Sequence, residues 1–287
     1  MKKFISTVLA LGMAVSLAAC GGSASTAAST ESTAASAAEA TADSDLAYIK
    51  NKGKMTIGYT VYEPMNYTDA DGNFTGFDTE LATAVCEKLG VEPDFVEINW
   101  DTKIVELDAK SIDCIWNGMS IDDERREKLN LSEPYLNNQQ VVVVLSDSGI
   151  NTLADLAGKE VILQAGSTAE GALDSHPEVK ETLKDGQAIP VDNNVQAMME
   201  LKNGTGDAVI MDAVVARYYL NLEDGDAYKI LDEVLSEEEY AIGFRKGDQE
   251  LRDEVQKILG EMKADGKLAE ITIKWFGEDI SKVPDNQ

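Results

Sequence analysis

The residues best known for reactive chemistry are scarce in this chain. Its one histidine, His176, stands in the polar stretch Asp174-Ser175-His176-Pro177. A lone histidine without clustered ligand spacing supports neither a zinc site nor a Ser/His/Asp arrangement, so no metal and no cofactor is expected. Cys86 lies in a helical pattern and Cys114 in a strand pattern, and neither has C-x-x-C spacing. Two buried thiols packed as small hydrophobes fit these positions better than a disulfide. For acid/base work the one nameable candidate is Glu63. What remains suits the holding of charge. Arg125 sits in the mixed run Asp122-Asp123-Glu124-Arg125-Arg126-Glu127-Lys128, which on charge pattern alone is a solvated helix face. Its planar fork is nevertheless the group that grips a carboxylate through two parallel hydrogen bonds. Ser167-Thr168 follows a strand pattern and opens a helical one, as a helix cap or as an anion-attracting terminus. Asp212 follows the apolar run Ala208–Met211 and can cap the next helix, face a cation, or do both. Tyr62 and Trp100 are either core or the walls of a site.

These residues need a scaffold, and the hydrophobic pattern supplies one. Met55–Tyr59 predicts a strand. Asp69-Ala70-Asp71-Gly72-Asn73 is turn chemistry. A helix follows, capped by Asp78, striped by Leu81, Ala84, Val85 and Leu89 and ended by Gly90. Phe95–Ile98 predicts a strand, Asp101–Lys110 a helix and Ile112–Trp116 a strand, an alternation that implies a largely parallel sheet. A second series begins at Val141–Leu145, a continuous apolar run expected where a strand is buried on both faces. The short helix Thr152–Leu156, the strand Glu160–Leu163, helices at Ser167–Leu173 and Val195–Lys202, the strand Ala208–Met211 and a helix from Ala213 to about Leu220 follow. Tyr240–Phe244 predicts a strand, and an amphipathic helix around Leu251–Ala264 is followed by Gly266. The pattern implies two α/β lobes with a cleft beyond the strand ends.

From Gly53 to Phe276 the chain resembles the family-3 extracellular solute-binding proteins, the polar amino-acid receptors of ABC importers. The resemblance rests on Asp71–Ala82, Ile112–Ile121, Glu124-Arg125, Leu131–Tyr135, Leu153–Lys159, Gln164–Thr168 and Gly206–Asp212, each weak alone and specific in this order. It implies a periplasmic-binding-protein-like fold, two α/β domains joined by a two-crossing hinge with the ligand in the cleft. It places Arg125 on the carboxylate of a free amino acid, joined by the Thr168 N–H at the Ser167-Thr168 turn and by the Ser120 N–H. It places Asp212 on the ammonium, with the Gly118 carbonyl and Ser120 hydroxyl as further acceptors. Tyr62 and Trp100 then flank the ligand side chain, while Asn117, Gln164 and either Glu63 or Lys103 tune specificity. Arg126 should face solvent. The family's frequent aspartate after the first strand is missing from Gly58-Tyr59-Thr60-Val61-Tyr62. Arg125 and Asp212 cancel in charge, which suits a zwitterion and an uncharged polar amino acid, with glutamine and cystine as first choices.

The ends of the chain say where such a receptor works. Met1-Lys2-Lys3 and the uncharged run Phe4–Ala19 read as a signal peptide, residues 1–19, too short to span a bilayer. Leu17-Ala18-Ala19-Cys20 resembles a bacterial lipobox, which implies lipidation of Cys20 and anchoring to the cell membrane by lipid alone. Residues 20–44 are almost wholly Gly, Ser, Ala, Thr and acidic, a flexible tether. Lobe 1 is expected to take residues 45–137 and 238–287 and lobe 2 residues 138–237, with crossings near Asn137–Gln139 and Ser236–Glu239. A formal charge of −27 disfavours nucleic acid and anionic lipid as partners. The expected partners are the importer's permease subunits, and the protein should be a monomer. The competing classes are a dehydratase-like enzyme or a sensor on the same scaffold.

Overall fold

The computed structural model describes residues 44–222 and 224–285. The signal peptide, Cys20 and the tether up to residue 43 lie outside the described residues.

Two sheets organise the chain. In the first, five strands run in the order Glu92–Glu97, Lys54–Tyr59, Cys114–Ile115, Gly243–Arg245 and Leu129–Leu131. The first three are mutually parallel and the last two join antiparallel. The second sheet has six strands. Tyr228–Ile230, Leu136–Leu145, Ala208–Asp212, Val161–Gln164 and Ile189–Val191 lie in that order, and Ser236–Tyr240 pairs with Leu136–Leu145. The apolar run Val141–Val144 is buried throughout, as its unbroken hydrophobicity demands. Helix Phe77–Leu89 buries Phe77, Leu81, Val85 and Cys86 on its core side. It stops at Gly90, whose φ of 77° returns the amide to the last-turn carbonyls. Cys86 and Cys114 are free and buried.

Several local expectations are corrected. Tyr240–Phe244 is not one strand. Ser236–Tyr240 belongs to the second sheet and Gly243–Arg245 to the first, because the chain passes from one to the other at Ala241-Ile242. Ile112–Trp116 shrinks to Cys114–Ile115, and Asp101–Lys110 divides into a tight turn at Trp100–Thr102 and helix Lys103–Asp108. Asp78 does not cap its helix. Gly76 holds the cap position, and the Asp78 carboxylate, wholly buried, accepts from the Gly118 N–H at 2.7 Å and the Tyr135 hydroxyl at 3.0 Å. Two further helices, Asp45–Lys52 and Lys267–Phe276, flank the predicted set. Gly266 (φ 82°) reads as a stop in the sequence, but the chain turns there and starts the last helix. Among the described residues no helix is long and apolar enough to cross a membrane.

Candidate functional site

All ten residues singled out as ligand contacts, from Tyr62 to Asp212, line one small cavity. They arrive from both sheets. Tyr62 and Trp100 follow strands of the first sheet, and Asn117, Gly118 and Ser120 follow Cys114–Ile115. Gln164, Ser167 and Thr168 come from the end of Val161–Gln164, and Asp212 ends Ala208–Asp212. The free volume is about 10 Å³, on the order of one water molecule, so the walls are closed on one another. A chamber of about 660 Å³, open to solvent and rimmed by exposed residues such as Glu124 and Glu170, adjoins this cavity and shares Arg125, Ser167 and Thr168 with it.

One pole of the site is cationic. Arg125 is 4 % exposed although its neighbours in the charge run are open, and Arg126 is exposed. Helix Asp123–Lys128 turns Arg125 inward, and Asp122 caps that helix through the Arg125 N–H at 2.7 Å. The guanidinium donates to the Ser120 carbonyl at 2.6 Å and to the Gly166 carbonyl at 3.2 Å, and its Nε lies 3.2 Å from Asp122 Oδ2. Beside it Lys103, 5 % exposed, donates to the Trp100 carbonyl at 2.9 Å and to the same Gly166 carbonyl at 2.8 Å. Burial, with Arg125 close by, lowers its ammonium to about 7. The Trp100 ring lies under both cations, 4.8 Å from Lys103 Nζ and 5.9 Å from Arg125 Cζ. Gly166 has φ +65°, and a Cβ there would meet Asp101 Cα at 2.9 Å, so this close approach requires glycine.

The other pole is acidic. Asp212 Oδ1 accepts from Asn138 Nδ2 at 2.5 Å, Gln140 Nε2 at 2.9 Å and the Tyr240 hydroxyl at 2.9 Å. Although it stands at the cap position of helix Ala213–Leu220, its side chain makes no capping bond. The same two amides donate to Glu238 Oε2, each at 3.0 Å, and the Ser120 hydroxyl donates to it at 2.5 Å. Burial first and Glu238 second raise the Asp212 carboxyl to about 6. Tyr62 completes a relay, its hydroxyl 2.9 Å from that of Tyr240.

Other lining residues are committed to the scaffold. The Asn117 amide is used on both sides, accepting from the Thr60 N–H and hydroxyl and donating to the Thr60 carbonyl and Asn66 Oδ1. Gln164 bonds Asn194 and the Asp192 carbonyl, and Ser167 donates to the Gln164 carbonyl without capping its helix. Glu63 is not among the residues lining the cavity. It is half-buried near Tyr218 and Tyr219, and burial raises its carboxyl. Asn138, Gln140, Glu238 and Tyr240 were not singled out from the sequence. Asn138 and Gln140 share one face of their strand, and Glu238 and Tyr240 share one face of its partner, but Asn137, Gln139, Glu237 and Glu239 between them are polar too, so the strand period of two gives no contrast in the sequence there. Among the described residues no cluster of His, Cys, Asp and Glu is placed to hold a metal ion.

Two lobes built on separate α/β sheets, with opposite charges buried between them, define a binding protein of the extracytoplasmic receptor type. The chain belongs to the bacterial extracellular solute-binding proteins, family 3, whose model matches residues 55–278. It is 35% identical over 279 residues to the L-cystine-binding protein TcyA of Bacillus subtilis, covering 96% of this chain and 98% of that one. An ABC uptake transporter substrate binding protein from Streptococcus pneumoniae, solved with bound histidine, superposes with a TM-score of 0.81. The two share 37% identity, over 84% of this chain and 100% of that one. The ancestral amino acid-binding protein AncCDT-1, described as a precursor of cyclohexadienyl dehydratase, aligns with a TM-score of 0.74 at 33% identity, over 81% of this chain and 100% of its own.

Proposed function

We propose that the protein captures a free amino acid outside the cell membrane and hands it to the permease subunits of an ABC importer. The observation that carries this reading is the pair of buried, opposite charges in one cavity, Arg125 on the first-sheet side and Asp212 on the second. A zwitterionic backbone matches both. Its carboxylate takes the guanidinium fork and its ammonium takes Asp212, while Thr168 and the Ser120 and Gly118 backbone supply the remaining partners. The favoured ligands are uncharged polar amino acids, glutamine or cystine first; the likeness to a cystine-binding relative supports the second.

A cavity of about 10 Å³ is too small for any amino acid, so binding requires the walls to part and close again. The hinge proposed here consists of the two crossings, residues 137–139 and 236–239. They run side by side as paired strands, with Gln139 opposite Glu237 and Asn137 opposite Glu239. Lobe 1 is residues 45–137 with 238–287, and lobe 2 is residues 138–237. Because the ligand touches both, it binds the closed form better and shifts the population toward it. Cys20 carries a lipid in this scheme, and the segment after it tethers a monomeric receptor to the membrane. An enzyme on this scaffold needs an acid/base pair facing the ligand, and the position of Glu63 outside the cavity lining weighs against that reading.

Calorimetric titration of ligand-stripped protein with the common amino acids and cystine tests the proposal. Saturable one-to-one binding of one or two of them, with each recovered unchanged, is expected. Folded protein that binds none removes the receptor reading, and selective binding of arginine or lysine alone removes the uncharged-ligand assignment.

A further inference from the structure

The larger chamber beside the cavity has a cation of its own. Lys103 lines the chamber and not the small cavity, whereas Arg125 borders both spaces. Lys103 is 5 % exposed, yet both of its hydrogen-bond partners are neutral backbone carbonyls. Asp101, Asp122 and Glu124 act on its charge without forming an ion pair with it among the described residues. A buried ammonium left without a counter-ion is costly, and the fall of this one to about 7 is a sign of that cost. Helix propensity does not require a lysine there, since any long unbranched side chain suits the first turn of Lys103–Asp108. The two cations also stand close together, because Lys103 Nζ and Arg125 Nη2 bond the same Gly166 oxygen.

We propose that the ligand is a two-headed amino acid of the cystine type, and that Lys103 holds its second carboxylate in the chamber while Arg125 holds the first. This rests on the amino-acid receptor reading above and adds to it the chemical class of the ligand. The geometry is permissive. Two cysteine Cα atoms joined through a disulfide stand about 5.5–6 Å apart, a separation that lets two carboxylates reach two cations sharing one carbonyl. The chamber, at about 660 Å³, is roomy enough for a second α-amino-acid head. Glu170, which lines it, bonds the Gly166 N–H through one oxygen at 3.1 Å and is placed to receive the second ammonium. A single-headed amino acid leaves Lys103 uncompensated, and a second carboxylate removes the penalty. Lys103 is thus a specificity-determining residue that reads the far end of the ligand.

The test is a cycle of two proteins and two ligands. Wild type and Lys103→Met are titrated with cystine and with the mixed disulfide of cysteine and cysteamine, which lacks only one carboxylate. Wild type should prefer cystine by about tenfold or more, and Lys103→Met should bind both ligands alike, near the wild-type affinity for the mixed disulfide. Methionine keeps the unbranched stem out to Cε and removes only the ammonium, and a thermal melt checks the fold. The wild-type comparison stands even if the variant fails to fold. Equal loss for both ligands in Lys103→Met would place Lys103 on the shared head and overturn the proposal, as would a wild type that does not distinguish them. A wild type that binds glutamine or another single-headed amino acid but not cystine overturns this inference and leaves the receptor reading standing. Binding of no amino acid removes both.

Discussion

The two poles of the site are built on opposite plans. At the acidic pole Asp212 and Glu238 share two amide donors, Asn138 and Gln140, and further take hydroxyls from Tyr240 and Ser120. At the cationic pole Arg125 and Lys103 crowd onto one carbonyl of Gly166, and among the described residues only Asp122 lies within ion-pair distance of either. Neutral donors thus keep two carboxylates in place and available to an ammonium. Neutral acceptors leave the cations short of negative charge, and the ligand supplies it. The first pole is a prepared surface, and the second is where ligand charge is most needed. Removing charge should therefore cost most at the cationic pole.

Arg125→Ala is the strongest test of that asymmetry. Losing one partner of a buried, hydrogen-bonded charge pair costs roughly 2–5 kcal/mol, so ligand affinity measured by calorimetry should fall by ~30-fold to several thousand-fold. A loss under tenfold breaks the comparison. Asp212→Asn should cost less, about tenfold to ~10²-fold, because the amides and hydroxyls around it remain. Asp212 also sets a pH profile. An ammonium binds the ionised carboxylate, and in the ligand-free protein the group titrates near about 6. The Asp212 contribution is then complete above that pH and is lost as pH drops through it, by at most about tenfold per pH unit for one proton. Binding at pH 5.5 should release a proton, and Asp212→Asn should abolish both effects.

Glu238 offers a finer cut. Its charge is the second cause of the raised Asp212 carboxyl, so Glu238→Gln should move the fall in affinity to lower pH. The change in affinity at pH 8 should stay within about tenfold, since the glutamine carbonyl can still accept from the Ser120 hydroxyl. An unmoved profile would mean that Asp212 does not sense Glu238 across the shared amides.

The two poles also differ in how well the sequence showed them. Asp212 was legible because it ends a buried strand and opens a helix, a position where a carboxylate is either cap or ligand contact. Only the structure decides that it makes no capping bond. Its supporting residues were hidden, because Asn138 and Gln140 look like the polar start of an apolar strand, and Glu238 sits in an acidic run typical of surface. Their roles arise from pairing between Leu136–Leu145 and Ser236–Tyr240, which joins segments far apart in sequence and which no local pattern reports. The same long-range crossing divides Tyr240–Phe244, whose local pattern is that of one strand, between two sheets. Asp78 is a similar case, since a first-turn carboxylate predicts helix stabilisation. This one instead turns inward to hold Gly118 and Tyr135, and burial lifts it to about 7. The α/β alternation and the order of most elements were readable because they rest on local hydrophobic periodicity.

Arg125 and Arg126 supply the smallest expected effect and the sharpest control. They are adjacent in a run whose charge pattern assigns both to solvent, and they carry the same group. A helix advances about 100° per residue, so when one arginine faces the cavity the next is carried well round the helix. Arg125 is 4 % exposed with its guanidinium on the Ser120 and Gly166 carbonyls, while Arg126 is exposed. Arg126→Ala should therefore leave affinity within about twofold in 0.15 M salt, where an exposed charge is largely screened. At low salt a slightly larger change is expected if Arg126 adds to the field at the cleft. A loss comparable to that of Arg125→Ala at both salt concentrations would mean that net charge on the helix, and not the buried fork, holds the ligand. The contrast between the poles would then lose its basis.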